Sequence, residues 1–196
     1  MRAFVAVELP EDVVTAVEDF LEPRREGVAS RREWRWTRRE HLHLTLAFLP
    51  DLEEWREEEL VEEGQRYAAR HRPLDLRLAG AGAFPSPGSA RVLWAGVDEG
   101  EPGTLATWAA GLRAVASHAG VRVDGTRFTP HVTLARAVGR PHPAGHLLQA
   151  LDTLHTPSWR VDDLALVASH LGQGPRGTPR YEVRHRWTVG AAGTPA

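Results

Sequence analysis

His43-Leu44-Thr45-Leu46 returns 88 positions later as His131-Val132-Thr133-Leu134. Successive side chains of an extended strand point to opposite faces, so each copy sets its His and Thr on one face and its two apolar residues on the other. Ten His and thirteen Thr in 196 residues would give, at random, only about 0.1 such tetrapeptides. The pattern therefore demands two half-buried strands, each offering an imidazole and a hydroxyl from its polar face. Facing each other, they could enclose a small anion, and a phosphate fits.

Two absences narrow the chemistry. The chain has no Cys, which removes thiol nucleophiles, disulfides and Cys-ligated metals together. It also has no Lys, all 24 basic residues being Arg. A Walker-type phosphate Lys, a Schiff base and a Lys nucleophile that could be adenylylated are all excluded. What remains is His, carboxylates, hydroxyls and Arg.

With 42% apolar and 26% charged residues the composition is that of an ordinary globular protein. No stretch is long and apolar enough to span a bilayer, and the N-terminal run is too short for a signal segment, so a cytoplasmic protein is expected. A net charge of −2 argues against coating duplex nucleic acid by counterion release. Charge is segregated nonetheless. Arg24, Arg25, Arg31, Arg32, Arg35, Arg38 and Arg39 crowd the approach to the first motif and could funnel an anion toward it. Asp51, Glu53, Glu54, Glu57, Glu58, Glu59, Glu62 and Glu63 follow, as the solvated face of a helix.

Periodicity predicts strands at 2–9, 34–37, 43–49, 74–78, 91–97, 121–123, 131–136, 159–161, 164–169 and 181–189. Helices are predicted from Glu11 to a stop at Pro23, from Pro50-Asp51 to about Arg70, over Leu105 to Ala119, and around Leu147 to Leu154. Gly80 to Ser89 reads as a loop and as the hinge between halves. Gly172-Gln173-Gly174-Pro175-Arg176-Gly177 matches G-x-G-x-x-G, but it lies between two strands and cannot open a dinucleotide-binding helix. The order strand, helix, strand, motif strand, helix occurs roughly twice. Residues 1–196 are thus expected to form one bilobal α+β domain of two structural repeats. Its lobes would be pseudo-symmetric, mainly antiparallel sheet flanked by helices, with a cleft between them.

These residues resemble the two-histidine phosphoesterase superfamily, and within it the bacterial and archaeal RNA 2′,3′-cyclic phosphodiesterases once described as 2′-5′ RNA ligases. The likeness includes Arg2-Ala3-Phe4-Val5-Ala6-Val7, Glu40-His41-Leu42 before the first motif, Phe48-Leu49 after it, and Gly82-Ala83-Phe84-Pro85. It continues through Ala90-Arg91-Val92-Leu93-Trp94, Phe128 to Arg136, and Leu171-Gly172 to Tyr181. The chain departs from the family's Asn at His41 and from its Gly at Pro50. The resemblance implies a metal-free, cofactor-free enzyme with His43 as proton donor to the leaving oxygen, His131 as base on water, and a 2′-phosphate product. It further implies that Arg136 and Phe48 hold the substrate. The expected partners are single-stranded RNA or tRNA-fragment ends and cyclic nucleotides, met by a monomer.

Opening a cyclic phosphate with water needs one base and one acid on opposite sides of phosphorus, and imidazole can serve as either near neutral pH. Thr45 and Thr133 are suited to stabilise charge growing on the non-bridging oxygens. Strand parity alone puts Phe48 and Arg136 on the face opposite the histidines, unless a bulge redirects them. Two rivals remain at this stage. His41, His43 and His131 could ligate a metal for a metal-dependent phosphohydrolase, which a chelator would inactivate. Alternatively, the cleft could bind nucleotides or RNA ends without turnover.

Overall fold

The computed structural model describes residues 1–28, 32–125 and 127–190; Arg31 of the basic run lies outside them. In chain order the elements are β1 (Ala3–Glu8), α1 (Glu11–Val28), β2 (Trp34–Trp36), β3 (His43–Leu49) and α2 (Glu54–Ala69). Next come β4 (Leu74–Phe84), β5 (Val92–Asp98), α3 (Thr104–His118) and β6 (His131–Ala137). Last are α4 (Gly145–Leu151), β7 (Trp159–Val161), β8 (Asp163–His170) and β9 (Arg180–Thr188). All described strand pairs are antiparallel. They make one curled sheet in the order β7-β4-β5-β6-β3-β1-β8-β9, with β2 paired to β6. The expected mixed, antiparallel architecture is the one found. Among the described residues no helix is long and apolar enough to cross a membrane.

Residues 3–7, Ala-Phe-Val-Ala-Val, are all buried because both faces of β1 are covered. Ala3, Val5 and Val7 join the main core, while Phe4 and Ala6 join Ala165 and Val167 in a smaller cluster on the other face, with Phe48 and Tyr181 packed on it. Alternation thus splits one apolar run between two cores. On the main-core side α2 lies against β9, where Trp187 is fully buried and donates its Nε1–H to the Val61 carbonyl (2.8 Å). A Cβ at Gly64 would overlap that indole, so glycine is what lets the helix approach.

Four expectations need correction. Pro23 does not stop α1, which runs on to Val28. A proline in a helix removes an amide donor and displaces a carbonyl one turn back. Just past Pro23, Arg24 braces the helix, donating to the Phe20 carbonyl (2.6 Å) and across to the Ala150 carbonyl (2.8 Å) of α4. The acidic helix begins at Glu54 rather than at Pro50-Asp51. Residues 121–123 form no strand, only an isolated bridge from Arg122 to Asp51.

The fourth correction concerns the hinge. Gly80 to Phe84 belongs to β4, which pairs with β5 through a register shift between Leu78 and Ala81. Gly82 sits under the Trp94 indole, where a Cβ would overlap the ring. The glycines that suggested a loop thus serve a bulge and a close side-chain crossing.

Gly82→Ala must push the Trp94 ring aside, and this overpacking is expected to cost about 1–3 kcal/mol. Urea denaturation measures it, and an unchanged midpoint would show that the indole moves freely.

Candidate active site

The two motif strands lie side by side. Leu44 pairs with Val132, and extending that antiparallel register by one residue sets His43 across from Thr133 and Thr45 across from His131. Diagonal neighbours on such a face are about 7–8 Å apart, which suits two imidazoles reaching one phosphate from different sides. Both histidines and both threonines line a single cleft of about 680 Å³.

Phe48 and Arg136 line the same cleft, and the reason lies in two matching irregularities. Against β1, Val5 pairs with Ala47 and Ala6 with Thr45, which leaves Leu46 unpaired. Against β5, Leu93 pairs with Ala135 and Trp94 with Thr133, which leaves Leu134 unpaired. Each motif therefore carries a β-bulge at its second apolar residue. The sign of the bulge shows in burial: two consecutive residues are buried, Leu46-Ala47 and Leu134-Ala135. One extra residue reverses the parity that follows. Phe48 and Arg136 are thereby returned to the side of the histidines. The carbonyl of Leu134 is satisfied by the Thr37 amide (2.8 Å).

Each imidazole is held the same way. His43 Nδ1 lies 2.8 Å from the His41 carbonyl, and His131 Nδ1 lies 2.7 Å from the Thr129 carbonyl, both two residues back. A carbonyl only accepts, so both Nδ1 atoms carry the proton, and Nε2 is the nitrogen left for a ligand. Aromatic rings fix the planes. Phe4 stacks on His43 at 4.6 Å and 19°, while Phe84 meets His131 edge-on at 5.1 Å and 84°. The hydroxyls of Thr45 and Thr133 have no intramolecular partner among the described residues, so they are free to bind a guest.

Electrostatics favour an anion. Arg2, Arg35, Arg38 and Arg136 line the cleft together with His41, His43 and His131, and no carboxylate is among the described lining residues. In a chain of net charge −2 this is a concentrated positive field. Burial pushes the His43 imidazole from 6.5 down to about 4; the His41 carbonyl raises it, while His41, Arg136 and His131 lower it further. His131 is lowered mainly by burial, and by Arg136, against the raising effect of the Thr129 carbonyl. Both shifts favour the neutral ring.

The basic run divides. Arg35 and Arg38 reach the cleft. Arg25 pairs with Glu18, Arg39 with Glu11, and Arg24 braces α1. His41 lines the cleft too, with its ring against Tyr181 at 4.6 Å. Among the described residues no group of three or more His, Asp or Glu side chains converges as a metal site would. Sequence reasoning did not single out Arg2, Phe4 or Tyr181 as site residues, although all three lie in segments that carried the resemblance. Arg2 lies over the Phe48 ring at 5.0 Å, and Tyr181 meets His43 edge-on at 5.5 Å. Phe4 arrives on β1, Arg2 just ahead of it and Tyr181 on β9, all distant in sequence from either motif.

Known proteins share this architecture. A family model described as the 2′-5′ RNA ligase superfamily matches residues 4–173. A Thermus thermophilus protein named RNA 2′,3′-cyclic phosphodiesterase is 34% identical over 96% of this chain and 90% of its own length. A protein of the same name from Aeropyrum pernix is 35% identical over 74% of this chain and 82% of its own. Among solved structures, one of a Thermus thermophilus protein aligns with a TM-score of 0.75 at 33% identity, covering 98% of this chain and all of that one. Escherichia coli LigT complexed with 3′-AMP aligns with a TM-score of 0.73 at 27% identity, covering 96% and 97%.

The lowered pKa of His43 makes a signed prediction. A base whose folded pKa lies below its unfolded value takes up a proton more readily when unfolded, so stability is whole above pH 6.5 and is lost as pH falls toward 4. The urea midpoint of the parent should therefore drop further between pH 7 and pH 4.5 than that of His43→Gln. Equal drops would show that His43 is not the titrating group.

Proposed function

This chain belongs to the 2′-5′ RNA ligase superfamily, and we propose that it hydrolyses the 2′,3′-cyclic phosphate at RNA ends to a 2′-phosphate, using only its own side chains. The observation that carries this reading is the matched pair of imidazoles, each with Nδ1 tied to a backbone carbonyl, in one cleft lined by arginines. The names of the relatives support the same substrate class.

In the proposed reaction His131 Nε2 takes a proton from water as its oxygen bonds to phosphorus. The P–O3′ bond breaks, and His43 Nε2–H protonates the departing oxygen. Thr45, Thr133 and Arg136 donate to the non-bridging oxygens, where charge builds in the transition state. Phe48, with Arg2 on its ring, offers a flat surface for a base, a sequence-tolerant contact suited to single-stranded ends. An RNA 5′-hydroxyl in place of water would give a 2′-5′ linkage by the same proton transfers.

His43 must be protonated to act as the acid, and the empty cleft resists this. The bound phosphate supplies the compensating negative charge, so the acid is charged only with substrate in place. The single chain furnishes every group the reaction uses, which supports a monomeric enzyme. The mirrored strand orders on either side of the β3–β6 seam support a reading as two structural repeats. A cytoplasmic setting suits an enzyme of RNA ends.

Alanine at His43 or at His131 should lower kcat on an RNA ending in cyclic phosphate by about 10²- to 10⁴-fold, with the parent releasing only the 2′-isomer. For the parent, kcat/KM should already be declining below pH 6.5, because in the free enzyme burial strips the proton from both imidazoles below the ordinary histidine value. The same limb of kcat should lie at higher pH, because the bound anion raises His43. Steady-state rates from pH 4 to 9 with chromatography of the product test all three statements. A 3′-phosphate product, or rates insensitive to either substitution, would refute the reading.

A further inference from the structure

β2 is only three residues long and pairs with β6, and its central residue, Arg35, lies directly across from Arg136. Paired residues of adjacent strands point to the same face. Both guanidinium-bearing residues line the cleft. Neither has an ion-pair partner among the described residues, and like charges placed directly across a ladder repel. An antiparallel pair would accommodate almost any other side chain here with less repulsion. The juxtaposition makes sense when an anion sits between the two forks.

That anion is not the reacting phosphate alone. Arg136 follows Thr133 by three residues, one of them taken up by the Leu134 bulge, so the pair lies about two strand steps, roughly 7 Å, beyond the hydroxyl that faces the reaction. This is about the interval between neighbouring phosphates of an RNA strand. We propose that Arg35 and Arg136 together form a second phosphate subsite, which holds the phosphodiester on the 5′ side of the terminal nucleotide. Arg35 is a specificity residue here. It selects RNA chains over free cyclic mononucleotides and takes no part in bond making. The planar forks suit bidentate contact with a phosphate, and Arg136 shares its charge between the two positions. The subsite rests on the reading of the cleft as an RNA-end site, but its test does not depend on turnover.

The test compares adenosine 3′-monophosphate with adenosine 3′,5′-bisphosphate, which differ by the one 5′ phosphate, in calorimetric titrations of the full chain. The parent should bind the bisphosphate at least tenfold more tightly. Arg35→Gln should bring the two affinities to within about threefold, and Arg35→Lys should restore part of the gap, since it keeps the charge without the fork. The thermal midpoint of unliganded Arg35→Gln should match or exceed that of the parent, which separates loss of a subsite from loss of fold. Equal affinity of the two nucleotides for the parent, or an unchanged ratio in Arg35→Gln, would overturn the proposal. A parent that fails to open cyclic phosphates yet keeps the affinity ratio would count against the hydrolytic reading alone and would support the subsite.

Discussion

Leu44 opposite Val132 ties the two motif strands together, and the geometry of the cleft follows from that rung. Toward the His43 end, the 3-10 turn at Arg39–His41 leads back to β2, which takes over the pairing with β6. The sheet therefore stays joined while β3 and β6 part company, and the opening between them is lined by whatever points away from the helices. The motif spacing decides what that is. Leu44, Leu46, Val132 and Leu134 are buried on the helix side, which commits His and Thr to the cleft side. A slip of one residue would bury both imidazoles.

The bulges at Leu46 and Leu134 give each motif a second function. Up to the bulge the strand offers acid–base and hydroxyl groups; after it, the same face offers a ring on one side and a guanidinium on the other. Regular strands would have wasted Phe48 and Arg136 in the core, where the guanidinium in particular could not be buried unpaired. In the proposed function the groups at the centre of the cleft break the bond and those at its margin hold the RNA end. Burial, reinforced by the nearby cations, favours the neutral form of both imidazoles, and a bound anion would offset it, coupling substrate charge to the protonation that the proposed reaction requires.

How much of this was legible in the sequence depended on how local the cause was. His43, Thr45, His131 and Thr133 could be placed on one face by parity alone, because the apolar residues between them declare where the core lies. Phe48 and Arg136 could not, since the bulge is fixed by pairing with β1 and β5, and the sequence within the motif does not display it. Arg35 stood out only as one of a run; its position opposite Arg136 is a cross-strand fact. Gly82 read as a loop residue because the indole that requires it comes from β5. Pro23 read as a stop because the contact by which Arg24 ties α1 to α4 reaches a helix more than a hundred residues away.

In the proposed reaction His43 and His131 act through Nε2 on opposite sides of one phosphorus centre. A crystal structure of the protein with a nucleoside–vanadate complex, a mimic of the five-coordinate transition state, tests it most directly. One vanadium centre is expected, with each Nε2 within hydrogen-bond distance of a different apical oxygen and both Nδ1 atoms still on their backbone carbonyls. Vanadate held by a single imidazole, or bound with either ring turned off its carbonyl, would contradict it.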